Sequence, residues 1–356
     1  LTRQTYDGVY IYDDAEPGEP AALVRNIDEQ VGQWFGAELL FAKRLAQRHR
    51  VVAGAELRDN TRQEAANFDQ EPRFVYSRTV RQSKNWGLFL QDEVALHPQL
   101  SLTAGLRHDH YPRFGGTTNP RLALIYRPWP TTVVKALYGE AFRAPSLYET
   151  DWADPASKPN SALLPEKIAT TEIVYERQLP ASFLLSVSAY RSRIEDLIGQ
   201  QTDPEDGLLV NGNLDDAELR GVELELARNL PNGLEGRISW AFQRSTDELS
   251  GRALENSPRQ LGKLVLSVPL RRDALFLGLD AQYSSAVETV RAVRVDGYWL
   301  ANATLSARPT GRRFEVALSF YNLFDESYAY AVGDEHVQDT IPQDGRTFDL
   351  RLTYRF

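Results

Sequence analysis

The sequence predicts an all-β protein, a transmembrane antiparallel up-and-down β-barrel of about sixteen strands. Three observations carry this. Thr347 to Phe356 alternate without a break: Phe348, Leu350, Leu352, Tyr354 and Phe356 fall on one side, Thr347, Asp349, Arg351, Thr353 and Arg355 on the other. Strand side chains alternate between faces, so this is one strand with an apolar and a polar side. Segments of the same kind recur along all 356 residues, joined by short turns and long polar loops in alternation. No run approaches the ~18 apolar residues of a membrane helix. A barrel shows lipid only every second residue, so its signal survives a low mean hydropathy.

The strands are expected near 3–13, 31–43, 49–62, 84–96, 99–112, 117–127, 131–141, 166–179, 181–198, 208–228, 232–247, 259–269, 274–285, 293–307, 312–323 and 344–356. Seven connections rich in Pro, Gly or charge read as hairpin turns: 44–48, 97–98, 128–130, 179–180, 230–233, 270–273 and 308–311. Seven long polar ones run roughly over 14–30, 63–83, 142–165, 200–216, 248–257, 286–292 and 324–343. Tight turns on one side and long loops on the other are the layout of an outer-membrane barrel. A β-sandwich has no reason to sort its loops this way, and no blade repeat marks a propeller. The last strand then runs from outside to the periplasm, and counting back places every short turn on the periplasmic side.

Parity assigns the faces. Trp86, Leu88, Leu90, Val94 and Leu96 point to lipid, and Asn85, Gln91 and Glu93 to the lumen; Asp92 is an exception that fits a membrane interface. Leu100, Leu102, Ala104 and Leu106 face lipid, while Arg107 and Asp109 face inward. Phe314, Val316, Leu318 and Phe320 face out, and Glu223 and Glu225 face in. An apolar exterior around a charged lumen reverses a soluble barrel. Sixteen Tyr, 15 Phe and 6 Trp can furnish interfacial girdles, although any β-rich chain carries such residues. The net charge of -9, spread along the chain, argues against nucleic-acid binding, and the lack of Cys fits an envelope compartment.

Five segments in order resemble the C-terminal barrel of TonB-dependent outer-membrane receptors. Leu137-Tyr-Gly-Glu-Ala-Phe-Arg-Ala-Pro-Ser-Leu-Tyr-Glu149 resembles the family's Phe-Arg-Ala-Pro box, carried by Phe142, Arg143 and Pro145. Pro159 to Glu166 resembles a degraded Asn-Pro-x-Leu-x-Pro-Glu box. Leu219-Arg-Gly-Val-Glu-Leu-Glu225 matches the family's Gly-then-acid strand. Tyr321-Asn-Leu-Phe-Asp-Glu-Ser-Tyr328, with Asn322, Leu323, Phe324 and Asp325, matches its penultimate-strand motif, and Gly345 to Phe356 its closing strand. The resemblance implies a bacterial outer-membrane location and a full barrel of 22 strands behind an N-terminal plug. Residues 1–356 are then expected to be the C-terminal portion of the barrel, with the plug, the energy-coupling box and the first strands outside this sequence. The strand-like start at Leu1, without Met or signal-peptide pattern, points the same way.

The resemblance further implies a receptor and active transporter, not an enzyme. Its partners would be a ferric siderophore or similar scarce ligand, the TonB energy-coupling complex reached through the absent N-terminal part, and outer-membrane lipids. Cobalamin or haem uptake, or a passive porin of sixteen closed strands, are the alternatives. Haem receptors of the family carry a His between the two boxes, and 146–158 has none. Arg107, Asp109, Arg143, Tyr148 and Trp152 are candidates to contact ligand, from the lumen and the outer loops. For Arg143 and Pro145 the competing reading is a structural corner where Pro stops the strand; for the two aromatics it is packing within the loop layer. His108 and His110 share a face two residues apart, but that is the lipid face. Asp203, Glu205, Asp206, Asp215 and Asp216 match no defined Ca²⁺ loop spacing. No metal site, resident cofactor or catalytic motif is expected.

Overall fold

Sixteen strands form the main sheet of the computed structural model. They are β1 (Thr2–Asp13), β2 (Leu23–Leu45), β3 (His49–Asp69), β4 (Phe74–His97), β5 (Leu100–Tyr111), β6 (Gly115–Trp129), β7 (Thr132–Arg143) and β8 (Glu166–Leu179), followed by β9 (Phe183–Glu195), β10 (Ala217–Asn229), β11 (Glu235–Asp247), β12 (Gln260–Arg271), β13 (Leu275–Ser284), β14 (Tyr298–Ala307), β15 (Phe314–Tyr321) and β16 (Thr347–Tyr354). Each lies beside its neighbour in sequence, in the order β1 to β16. Pairing is antiparallel from β1 on β2, with Thr2 opposite Trp34, to β15 on β16, with Phe320 opposite Phe348. The structure describes residues 1–15, 18–214, 216–230, 233–271, 274–307, 313–333 and 336–355. Phe356 and Asp215 therefore lie outside the described residues, as do parts of the turns at 230–233 and 270–273 and all of the turn at 308–311. No helix among them is long and apolar enough to cross a membrane.

Among the described residues more buried side chains are polar than apolar, while Leu39, Phe41, Leu88, Leu90, Leu350 and Leu352 stand exposed. A protein folded against water has the reverse distribution. Lipid as solvent selects it, because the polar side is turned inward.

The chain packs as two compact units. The first holds Leu1–Ala123, Tyr138–Ala169 and Ile194–Asp216. Here β2, β3 and β4 are 23, 21 and 24 residues long, about 70–80 Å at ~3.3 Å per residue, against an apolar band about 25 Å tall. Their outer parts therefore stand clear of the membrane. Of the polar stretches expected to be loops, 63–83 is thus mostly strand and 14–30 is strand from Leu23 onward, and the true connections are 14–22 and 70–73. Water on both sides imposes no apolar alternation, so the sequence pattern is lost there. Polar networks hold the projection instead. Asn26 and Asn67 exchange amide bonds at 3.0 and 2.6 Å, Asn26 also donates to Asp69 at 2.9 Å, and Tyr12 and Tyr76 donate to Asp69 at 2.8 and 2.7 Å.

A second correction concerns loop sorting. The turn at 112–114 joins β5 to β6 on the same end as the long loops, so that end carries a tight turn as well. The long segments expected at 181–198 and 208–228 are each broken, giving Ile198–Thr202 and Leu209–Asn213 as separate short strands. Asp196, with φ 56°, makes the first break. Asp92, the exception on the lipid face, meets His49 Nδ1 at 2.6 Å close to the 46–48 turn, so it is paired.

The second unit holds Leu124–Leu137, Thr170–Arg193 and Ala217–Phe356. Its lipid face shows an aromatic row across four strands, through Trp240, Gly262, Tyr283 and Trp299. A Cβ at Gly262 would lie 2.6 Å from the Trp240 ring, so glycine lets the indole cross β12 and stack on Tyr283 at 5.4 Å. Tyr283 stacks in turn on Trp299 at 4.5 Å. Aromatic rings in contact in this way cover the lipid face of β11 to β14.

Candidate functional site

The polar faces of β2 to β5 and the base of the loop after β7 enclose a cavity of about 1140 Å³ in the first unit. Arg107 and Asp109, expected to face inward, both line it. The Arg107 guanidinium grips Glu56 at 2.9 and 2.7 Å and Asp109 at 2.6 to 2.9 Å. Asp109 is only 5% exposed, so this fork is what keeps its charge tolerable. Tyr111, Phe114 and Phe142 form an aromatic cluster beside them, with centroids 4.9 to 6.3 Å apart.

Three further arginines line the cavity, and the sequence reading passed over all of them. Arg81 and Arg113 both bind Asp151, and Arg113 also donates to Thr150 Oγ1 at 3.0 Å and to the Ser161 carbonyl at 3.1 Å. Arg58 differs. Its Nε donates to Asn60 Oδ1 at 3.0 Å and its guanidinium lies 4.7 Å from the Trp34 ring centre. No carboxylate among the described residues pairs with it, unlike the other three arginines that line the cavity. Arg58 lies two residues from Glu56 on the same face of β3, but nothing in the local sequence distinguishes it from any other polar residue of a strand.

The other candidates organise the loop over the cavity. β7 ends at Arg143, as Pro145 requires, and Pro145 joins the cavity lining. Helix α1 (Leu147–Asp151) starts in a capping box: Glu149 N donates to Ser146 Oγ at 3.2 Å and Ser146 N to Glu149 Oε2 at 2.7 Å. Arg143 holds Glu149 at 2.9 Å and also binds Glu166 at the start of β8, closing both ends of the loop. Trp152 is 4% exposed and its indole donates to Asp154 at 3.2 Å; Tyr148, 49% exposed, lies over it with centroids 5.4 Å apart. Neither aromatic is among the residues lining the cavity.

A three-stranded sheet of Ile198–Thr202, Leu209–Asn213 and Ser157–Lys158 ties two outer loops together. Lys158 Nζ binds Asp203 at 2.6 Å and Asp206 at 2.8 Å, so these acids serve an internal ion pair. Among the described residues no group of acids and His is arranged to hold a metal. The lysine pulls both carboxyls below the ordinary 3.8, and they hold its ammonium above the ordinary 10.5. The depressed carboxyls contribute stability that is present above pH ~4 and lost as pH falls through their folded values; the raised lysine contributes below pH ~10.5 and loses it above. Amide protection over 157–158 and 198–213, measured against the intrinsic exchange rate at each pH, is therefore expected to be high near neutrality and to fall once the pH drops below the ordinary carboxylate range. Equal protection down to pH 2 would dismiss the pair as the tie.

The penultimate motif proves to be a pinned turn. Asn322 and Asp325 have φ 49° and 58°. The Asn322 amide accepts from Glu326 N at 2.8 Å and donates to its carbonyl at 2.9 Å, while Asp325 Oδ1 accepts from Arg346 N at 2.7 Å. Asn and Asp tolerate this backbone and bond locally, which is why they stand there. Leu323 N donates to the Ala301 carbonyl at 2.8 Å, and Phe324 is exposed.

An apolar exterior, a charged inner face and a looped-over cavity define this chain as the wall of an outer-membrane β-barrel. The family described as "TonB dependent receptor-like, beta-barrel" matches residues 2–323. The chain belongs to the TonB-dependent receptor family. It is 26% identical over 219 residues to the iron-regulated outer membrane virulence protein of Vibrio cholerae, covering 56% of this chain and 34% of that protein. It is 25% identical over 312 residues to the vitamin B12 transporter BtuB of Vibrio vulnificus, covering 86% and 47%. The crystal structure of the siderophore receptor PirA from Acinetobacter baumannii shares the fold, with TM-score 0.73 and 14% identity over 99% of this chain and 59% of that one. The chain thus spans between a third and a half of the length of these two curated relatives.

Proposed function

We propose that this chain is the C-terminal part of the barrel of an outer-membrane receptor and TonB-dependent active transporter for ferric siderophores. A plug and the first strands would precede it, and the TonB complex would act through them. The observation that carries the reading is the unpaired Arg58 in an aromatic-rimmed cavity whose other cations already have carboxylates. An iron chelate with net negative charge suits that arrangement. The iron-regulated relative supports it, and so do the siderophore receptors that share the fold. No residue is asked to do chemistry on the ligand: the wall binds and the loops close.

Cobalamin uptake is a second reading, favoured by the BtuB relative, whose match covers 86% of this chain. The two separate in a host stripped of its own receptors and supplied with the complete protein. Uptake of labelled iron from a siderophore panel, abolished when TonB is deleted, is the expected result. Arg58→Ala should weaken binding about tenfold or more, the worth of one charge-assisted contact, at unchanged protein level. Labelled cobalamin uptake without iron uptake would transfer the assignment, and transport indifferent to TonB would end it.

A further inference from the structure

The outward face of β10 and β11 reads as a depth gauge. From the periplasmic end its rows are Arg228 with Gly236, Leu226 with Ile238, Leu224 with Trp240, Val222 with Phe242, and then Arg220 with Arg244. Three apolar rows lie between cationic ones. Arg228 and Arg220 are eight positions apart, about 26 Å along the strand at ~3.3 Å per residue and about 20 Å along the membrane normal at the usual tilt of ~35–45°, most of an apolar band about 25 Å tall. Arg228 rests its guanidinium 4.8 Å from the Phe183 ring centre at the inner boundary. Arg220 and Arg244 mark the outer one, a row above Phe242 and two above Trp240 of the aromatic row.

At that outer boundary two arginines face each other directly across the strands. Like charges directly opposite destabilise a sheet unless an anion lies between them. The protein supplies none. Arg191 takes Glu218 and Arg193 takes Glu248, and no carboxylate among the described residues pairs with Arg220 or Arg244.

We propose that Arg220 and Arg244 bind a phosphate group on the headgroup of an outer-leaflet lipid, from the lipid side of the wall. Charge complementarity calls for an anion. The apolar rows immediately below call for one attached to acyl chains, since a free anion would gain nothing from Val222 and Phe242. Two adjacent guanidinium forks suit phosphate oxygens better than a single carboxylate. The site is separate from the cavity around Arg58 and stands whatever ligand that cavity takes.

The test uses the complete protein purified in detergent, with three probes: diphosphoryl lipid A, the same lipid dephosphorylated, and inorganic phosphate. Native mass spectrometry and fluorescence titration read the bound lipid. The phosphorylated lipid is expected to bind, and the Arg220→Ala, Arg244→Ala double substitution to weaken it about tenfold to a hundredfold. The dephosphorylated lipid should bind no better to the wild type than to the double variant. Heat-modifiable mobility on gels confirms that the variant is folded; should it not be, Arg244→Gln alone and the salt dependence of wild-type binding give the same reading, with affinity falling as salt rises. Equal binding of phosphorylated and dephosphorylated lipid would overturn the proposal. So would retention of tight binding in the double variant, or complete displacement by millimolar inorganic phosphate, which would make this a site for a soluble anion.

Discussion

Arg107→Ala is expected to destabilise the folded barrel by about 2–3 kcal/mol, read as a lowered midpoint in urea-driven unfolding from lipid vesicles. The reason is what the truncation leaves behind. Asp109 is 5% exposed and draws all its bonds in this structure from the Arg107 fork. Without the guanidinium its carboxylate remains a desolvated, unpaired charge. Breaking a fully buried pair costs about 3–5 kcal/mol. The Arg107 side chain is 37% exposed and Glu56 is 41% exposed, so solvent screens part of the loss and the lower figure applies. Adding Asp109→Asn to Arg107→Ala should recover more than half of it, because the stranded charge is then gone. If the double variant were no more stable than the single one, the fork would matter for packing against Phe89, 5.8 Å from the guanidinium, and not for charge.

How much of this could be read from the sequence depends on which solvent each segment meets. Where lipid covers one face, it enforces alternation, and the strand expected at 166–179 is Glu166–Leu179 to the residue. Parity likewise placed Arg107 and Asp109 on the cavity side before any coordinates. Where β2 to β4 rise into water, that constraint lapses and strand reads as loop. The site was partly legible. Arg143 looked like a corner, but its hold on Glu166 spans 23 residues and depends on how the loop folds back. Arg58 was invisible for a different reason: its importance lies in lacking a partner, and partners are a property of three dimensions.

The Leu219-Arg-Gly-Val-Glu-Leu-Glu225 strand carries the other large effect, at Gly221. A Cβ there would stand 2.7 Å from the Tyr190 hydroxyl and 2.8 Å from the Phe242 carbonyl oxygen. The first clash is with the tip of a side chain, which can swing. The second is with backbone fixed in the β10–β11 ladder, where Val222 lies opposite Phe242. Overpacking of this kind costs about 1–3 kcal/mol, and here it falls on a strand pairing that must form for the sheet to close up around it. Gly221→Ala is therefore expected to cut the yield of heat-modifiable, folded protein severalfold while leaving ligand affinity unchanged in the fraction that folds. Tyr190→Ala in the same chain should restore only part of the yield, since it relieves the ring and not the carbonyl. Full restoration would mean that the glycine is there to seat the tyrosine alone. Wild-type yield from Gly221→Ala by itself would mean that the strands shift apart enough to admit a methyl group, and that this glycine does not set their spacing.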